Sequence, residues 1–102
     1  MTDTNTRIAE IVQSHPVVLF MKGTADFPMC GFSARVATIL QQLDVEFQDV
    51  NVLDDDDIRQ GVKEYTNWPT IPQLYVNGQF VGGCDIVVEM YQAGELPEIL
   101  NQ

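Results

Sequence analysis

A chain of 102 residues with fifteen acidic and five basic side chains, net charge −10, is long enough for one small core and too short for a second, so residues 1–102 read as a single domain. A field of that sign repels phosphate backbones and anionic lipid surfaces, which excludes nucleic acid and membrane as expected partners; the longest apolar run, Val17 to Met21, is also far too short to span a bilayer. With 45% hydrophobic and 20% charged residues the balance is globular, and disorder is confined to the polar ends MTDTNT and NQ.

Ile8, Ile11 and Val12 recur at helical spacing and stop before His15-Pro16, which predicts a first helix with His15 as a cation at its C-terminal end when protonated. VVLFM follows as an uninterrupted apolar strand, the pattern of burial on both faces. After the Gly- and Pro-containing loop KGTADFPM, the residues Val36, Ile39, Leu40 and Leu43 mark a second helix that begins at or near Cys30. A second strand is expected over Val45 to Val52. The run Asp54 to Asp57 then opens a third helix through Ile58, Val62 and Tyr65, with four acids on the positive end of its dipole; a calcium loop would need spaced acids, a central glycine and a terminal glutamate that this run lacks. QLYVNGQFVGG predicts a hairpin turning at Asn77-Gly78, Asp85 is the expected cap of a fourth helix ending near Gly94, and a short helix runs from Leu96 to Leu100. A βαβ half followed by a ββα half predicts an α/β protein of thioredoxin-like fold, a four-stranded mixed β-sheet flanked by helices.

This topology delivers Cys30 to a helix N-terminus, where unpaired backbone N–H groups stabilise an anion and make the thiol more acidic than a free cysteine. Ser33 stands where a C-x-x-C pair would place its second sulfur. Pro72 is either a strand-entry proline or the second residue of a cis bond. Gly82-Gly83-Cys84-Asp85 allows close approach to another helix start. Nothing in the N-terminal residues has the basic-then-apolar pattern of an export signal, so the expected location is cytoplasmic, or an organelle's matrix or stroma if a transit segment has been removed. Thiols there stay reduced, which favours Cys30 and Cys84 as free thiols over a structural disulfide.

The ordered set Met21-Lys22-Gly23, Pro28, Cys30-Gly31-Phe32-Ser33, Asp57-Ile58-Arg59, Trp68-Pro69-Thr70-Ile71-Pro72-Gln73-Leu74, Val81-Gly82-Gly83-Cys84-Asp85 and Glu89-Met90-Tyr91 resembles the monothiol glutaredoxins of the CGFS type, in the single-domain form. The longer stretch from Lys22 to Cys30, against the K-x-x-C of dithiol members, belongs to the same resemblance, and Ile71 stands where an aromatic is common. The resemblance implies a glutathione groove: Lys22 and Arg59 toward the glycine carboxylate, Ile71 beside Pro72 pairing with the cysteinyl backbone, and Gly83, Cys84 and Asp85 at the γ-glutamyl end. It also implies that Cys30 is both the reactive thiol and the one metal ligand per chain.

Two functions follow from the missing second sulfur. A [2Fe–2S] cluster usually takes four thiolates, so two chains and two glutathiones complete one in a cluster-bridged homodimer; the resemblance implies transfer to iron–sulfur acceptor proteins or iron sensing, with a BolA-like protein as an alternative partner. The other function is a weak glutathione-dependent thiol–disulfide oxidoreductase acting on glutathionylated proteins through Cys30.

Overall fold

The computed structural model describes residues 3–101. Its elements are α1 (Thr4–Ser14), β1 (Val17–Met21), α2 (Gly31–Gln42), β2 (Gln48–Asn51), a 3-10 turn (Val52–Asp54), α3 (Asp56–Thr66), β3 (Gln73–Val76), β4 (Gln79–Gly82), α4 (Cys84–Gln92) and α5 (Leu96–Leu100). The polar start expected to be disordered is helical from Thr4, because the Asp3 carboxylate accepts from the Thr6 N–H at 2.8 Å and caps α1. Met1, Thr2 and Gln102 lie outside the described residues.

The four strands form one sheet in the order β2-β1-β3-β4, with β1 parallel to β2 and the other two pairings antiparallel. This is the mixed sheet of the thioredoxin-like fold. Alternation along β1 explains its unbroken apolar run: Val17, Leu19 and Met21 enter one core with residues of α2, α4 and α5, while Val18 and Phe20 enter a second with Ile8, Val12, Ile58 and Val62 from α1 and α3. A strand covered on both faces has no polar side.

Asn77 and Gly78 both take positive φ, 52° and 81°, as a I′ turn requires. Three expected boundaries shift. Only Gln48–Asn51 pairs with β1, since Val45 and Phe47 approach the sheet as packing residues ahead of the ladder. Of the four aspartates, Asp54 closes the 3-10 turn, Asp55 is the cap, accepting from the Asp57 and Ile58 N–H groups, and only Asp56 and Asp57 fall in the first turn of α3. Asp55 also binds Arg7 at 2.7 Å and so ties α3 to α1. Finally, Gly83 rather than Asp85 is the N-cap of α4, and no side chain caps that helix.

Candidate functional site

Chain order brings β1 and β3 side by side and starts α2 and α4 at the same end of the sheet. Cys30 is the N-cap of α2, extended at φ −149°, and Cys84 is the first residue of α4. Both thiols are free and partly exposed. They line a cavity of about 690 Å³ together with Phe32, Arg35, Asp85 and Glu89. A smaller cavity of about 180 Å³ adjoins it through Phe32, Cys84 and Asp85, and is walled by Trp68, Thr70, Ile71, Pro72 and Gly83. The Ile71-Pro72 bond is cis.

The two thiols are held differently. The Ser33 N–H does most to hold the Cys30 thiol below the usual cysteine range; partial burial opposes it, and the Phe32 N–H, the Ser33 hydroxyl and the Lys22 charge help. Burial pushes the Cys84 thiol up, as do the charges of Asp85 and Cys30, against a smaller opposing effect of Arg35. Cys30 is therefore the more acidic thiol of the pair. Ser33 is fully buried, its hydroxyl oxygen accepts from the Lys22 N–H at 3.1 Å, and the hydroxyl also favours the Cys30 thiolate. The residue in the second-sulfur position thus supports the first sulfur and offers none of its own.

Alkylation should display this difference. With iodoacetamide and peptide mapping across pH, Cys30 should reach half its maximal rate below the ordinary cysteine pKa of about 8.5, and Cys84 above it. Ser33→Ala should move the Cys30 midpoint upward and cost about 1–2 kcal/mol by leaving the Lys22 N–H without its partner. Coincident midpoints for the two thiols would contradict the assignment.

Two further features complete the site. Residues 22–29, between β1 and Cys30, are pinned in place. The Met29 N–H donates to the Lys22 carbonyl at 2.9 Å and Thr24 N–H to the Phe27 carbonyl at 3.2 Å, while Gly23 N–H reaches Asn51 Oδ1 at 2.9 Å and Ala25 N–H reaches Asp49 Oδ2 at 2.7 Å. Gly23 has φ +91°, and a Cβ there would lie 2.5 Å from the Phe27 carbonyl oxygen, so glycine is required. On the other side, buried Gln73 donates from Nε2 to the carbonyls of Trp68 and Thr70, both at 3.2 Å, and its Oε1 accepts from the Tyr75 hydroxyl at 3.1 Å. Gln73 thereby clamps the segment that walls the smaller cavity.

Residues 17–81 match the family model described as glutaredoxin. The chain belongs to the glutaredoxin family. It is similar to a chloroplastic monothiol glutaredoxin, S14, of Arabidopsis thaliana, at 59% identity over 89% of this chain and 53% of the relative. It is also similar to an uncharacterized monothiol glutaredoxin, ycf64-like, of Synechocystis, at 56% identity over 97% and 92%. The chain spans about half the length of the chloroplastic relative. Among solved structures, the buckwheat glutaredoxin–glutathione complex superposes with a TM-score of 0.85 at 28% identity, covering 96% of this chain and 87% of that one.

Of the residues singled out in the sequence, Cys30, Cys84 and Asp85 share the larger cavity, and Ile71, Pro72, Gly83, Cys84 and Asp85 share the smaller. Lys22 lines neither cavity but acts on the Cys30 charge, and Arg59, on α3, lines neither. Sequence reasoning passed over Arg35, and it quoted Phe32, Glu89 and Trp68 as motif positions without giving them a place in the site: Phe32 is the common wall, Glu89 lines the larger cavity with Arg35, and the buried Trp68 indole N–H has no partner among the described residues. Arg35 follows Gly31 by four residues and Glu89 follows Asp85 by four, so i, i+4 spacing from the residue after each cysteine was the available signal. Among the described residues no helix is long and apolar enough to cross a membrane.

Proposed function

We propose that this monothiol glutaredoxin is a carrier of a [2Fe–2S] cluster, held between two copies of the chain by two Cys30 thiolates and two glutathione thiolates and passed to acceptor proteins or read as an iron signal. One observation carries the reading: Cys30 is a partly exposed thiol with a lowered pKa at the mouth of a cavity, and the position beside it is a buried serine. Among the described residues no group of three or more His, Cys, Asp or Glu side chains is disposed to hold a metal ion. With Cys84 pushed up and Cys30 lowered, a single chain has one readily formed thiolate, and in this reading the remaining cluster ligands come from outside it. The buckwheat relative solved with glutathione supports glutathione as the external thiol. In this reading Ile71, Pro72, Gly83, Cys84 and Asp85 wall its groove, with Lys22 and Arg59 toward its glycine end. A ligand in exchange with solution also gives the cluster a way out.

Anaerobic reconstitution with iron, sulfide and glutathione tests this. A visible chromophore and a dimer should appear together, and only when all three are present. Arg59→Ala should lower the yield of holo dimer at limiting glutathione and regain it at higher concentration, because mass action offsets weaker binding. A tight dimer without iron, or a chromophore equally strong without glutathione, would refute the carrier reading. The lowered pKa of Cys30 independently supports a second function, exchange of glutathione with glutathionylated proteins. A BolA-like protein remains a proposed partner for the cluster-bound form.

A further inference from the structure

One side-chain oxygen joins the two stretches of chain that carry Lys22 and Arg59. Asn51 Oδ1 accepts from the Gly23 N–H at 2.9 Å, 28 residues away in sequence, and from the Leu53 N–H at 3.0 Å. The second bond is the ordinary cap of the 3-10 turn; the first belongs to no cap and occupies the other lone pair of the amide oxygen with a loop from elsewhere in the chain. Asn51 is the last residue of β2 and lies beside Met21 in the parallel ladder with β1, so the oxygen is held out from a strand of the sheet.

Two short relays run from this oxygen. Toward the loop, Gly23 follows Lys22, whose own N–H donates to the Ser33 hydroxyl oxygen at 3.1 Å and whose carbonyl accepts from the Met29 N–H at 2.9 Å, so the bond to Asn51 fixes the Lys22 backbone from a third side. Toward α3, Leu53 lies in the 3-10 turn, the Asp55 N–H donates to the Val52 carbonyl at 3.5 Å, and the Arg59 N–H donates to the Asp55 carbonyl at 3.0 Å. Asn51 therefore sets where Lys22 and Arg59 leave the backbone relative to one another. Both are long side chains that line neither cavity, and among the described residues the one ion pair is Arg7 with Asp55. A flexible cation adds to the binding of a carboxylate in proportion to how far its direction is set beforehand.

We infer that Asn51 is a positioning residue for the glycine end of glutathione: by tying Gly23 to Leu53 it aims Lys22 and Arg59 at one carboxylate. The inference rests on the reading that these two cations face that carboxylate, and it adds the condition under which they discriminate. A ligand that ends in the glycine carboxylate is preferred over one lacking that charge while the tie holds, and the preference is lost when the tie is cut.

The test compares glutathione with its glycine monoethyl ester, which keeps the thiol and the γ-glutamyl end and lacks the glycine charge. Dissociation constants are taken from the amide shifts of the reduced, isotope-labelled chain. The unaltered chain should bind glutathione about fivefold more tightly than the ester. Arg59→Ala should reduce that ratio, and Asn51→Ala should bring it to about twofold or less by weakening glutathione while leaving the ester nearly unchanged. Asp49→Ala, which frees the same loop at Ala25 but leaves the tie to the 3-10 turn, should keep the ratio. A purely structural loss would weaken both ligands alike and leave the ratio where it was, which would overturn the inference. Equal affinities in the unaltered chain would overturn the reading of the two cations and the inference with it. A ratio lowered by Arg59→Ala and untouched by Asn51→Ala would leave that reading standing and overturn the inference alone, as would an equal fall in Asp49→Ala.

Hydrogen exchange provides a second readout with no substitution at all. When both N–H groups rest on Asn51 the cations reach the carboxylate, so glutathione binds the locally opened form more weakly and slows its opening by mass action. At equal saturation the Gly23 and Leu53 amides should exchange together, about fivefold more slowly with glutathione than with the ester. The Ala25 amide, which donates to Asp49, should not share the difference. Equal slowing by the two ligands, or slowing of one of the two amides alone, would overturn the inference.

Discussion

Replacing Cys30 by serine should remove essentially all of the visible absorbance obtained on reconstitution, whereas Cys84→Ser should retain most of it. The asymmetry follows from local chemistry. The Ser33 and Phe32 N–H groups and the Ser33 hydroxyl favour the Cys30 thiolate and lower its pKa, whereas burial and a neighbouring carboxylate push the Cys84 thiol up. A thiolate is what iron binds, and serine at either position offers an alcohol that stays protonated at neutral pH. Cys30→Ser should also abolish glutathione exchange, since no other thiol of lowered pKa is present among the described residues. The measurement is absorbance and sedimentation of the two variants reconstituted side by side. Equal losses would make both sulfurs ligands and require a different site.

Gln73→Leu should be the most damaging substitution near the groove that touches neither cysteine. Gln73 is fully buried, and its amide is the partner of the Trp68 and Thr70 carbonyls and of the Tyr75 hydroxyl. Burial pushes the Tyr75 phenol well up, so it stays a neutral donor at ordinary pH and needs an acceptor. Leucine preserves bulk but takes the amide from its three partner groups, of which only the Tyr75 hydroxyl is in a fully buried pair, at a cost of about 2 kcal/mol, or about 10 °C in melting temperature for a chain of this size. The released segment walls the smaller cavity, so glutathione-dependent reconstitution should weaken beyond what the lower stability explains. Tyr75→Phe, which removes one of the three groups, should cost less. A melting temperature unchanged in Gln73→Leu would show that the clamp contributes nothing.

The four strands and the order of elements along the chain were legible in the sequence because their signals are strong and local: a five-residue apolar strand, an Asn-Gly turn and a cysteine opening a helix. The grouping of Cys30 with Cys84 came from the family resemblance and not from any local signal. The cap of α4 was not legible, because Asp85 has the chemistry of a cap, and only tertiary packing decides that Gly83 takes the position. There a Cβ would come within 3.1 Å of the Trp68 indole nitrogen and 3.3 Å of the Pro72 carbonyl oxygen. The role of Gln73 was equally hidden. A glutamine entering a strand reads as surface until the chain is folded around it. Arg35 and Glu89 were missed for a different reason: each looks like a solvated helix charge, and their common cavity exists only where α2 and α4 meet.

The fastening of residues 22–29 bears on how such a site can change over generations. Two of its pegs, Asn51 and Asp49, belong to β2, a different part of the chain. Asn51 also accepts from the Leu53 N–H at 3.0 Å and so starts the 3-10 turn that leads to α3. The loop is therefore not a module that lineages can lengthen or trim independently. A shortened loop leaves Asp49 without its partner, and a lengthened one placed on a strand that lacks these two side chains has nothing to rest on. Residues 22–29 are thus coupled to Asp49 and Asn51, and drift at one should be answered by drift at the other.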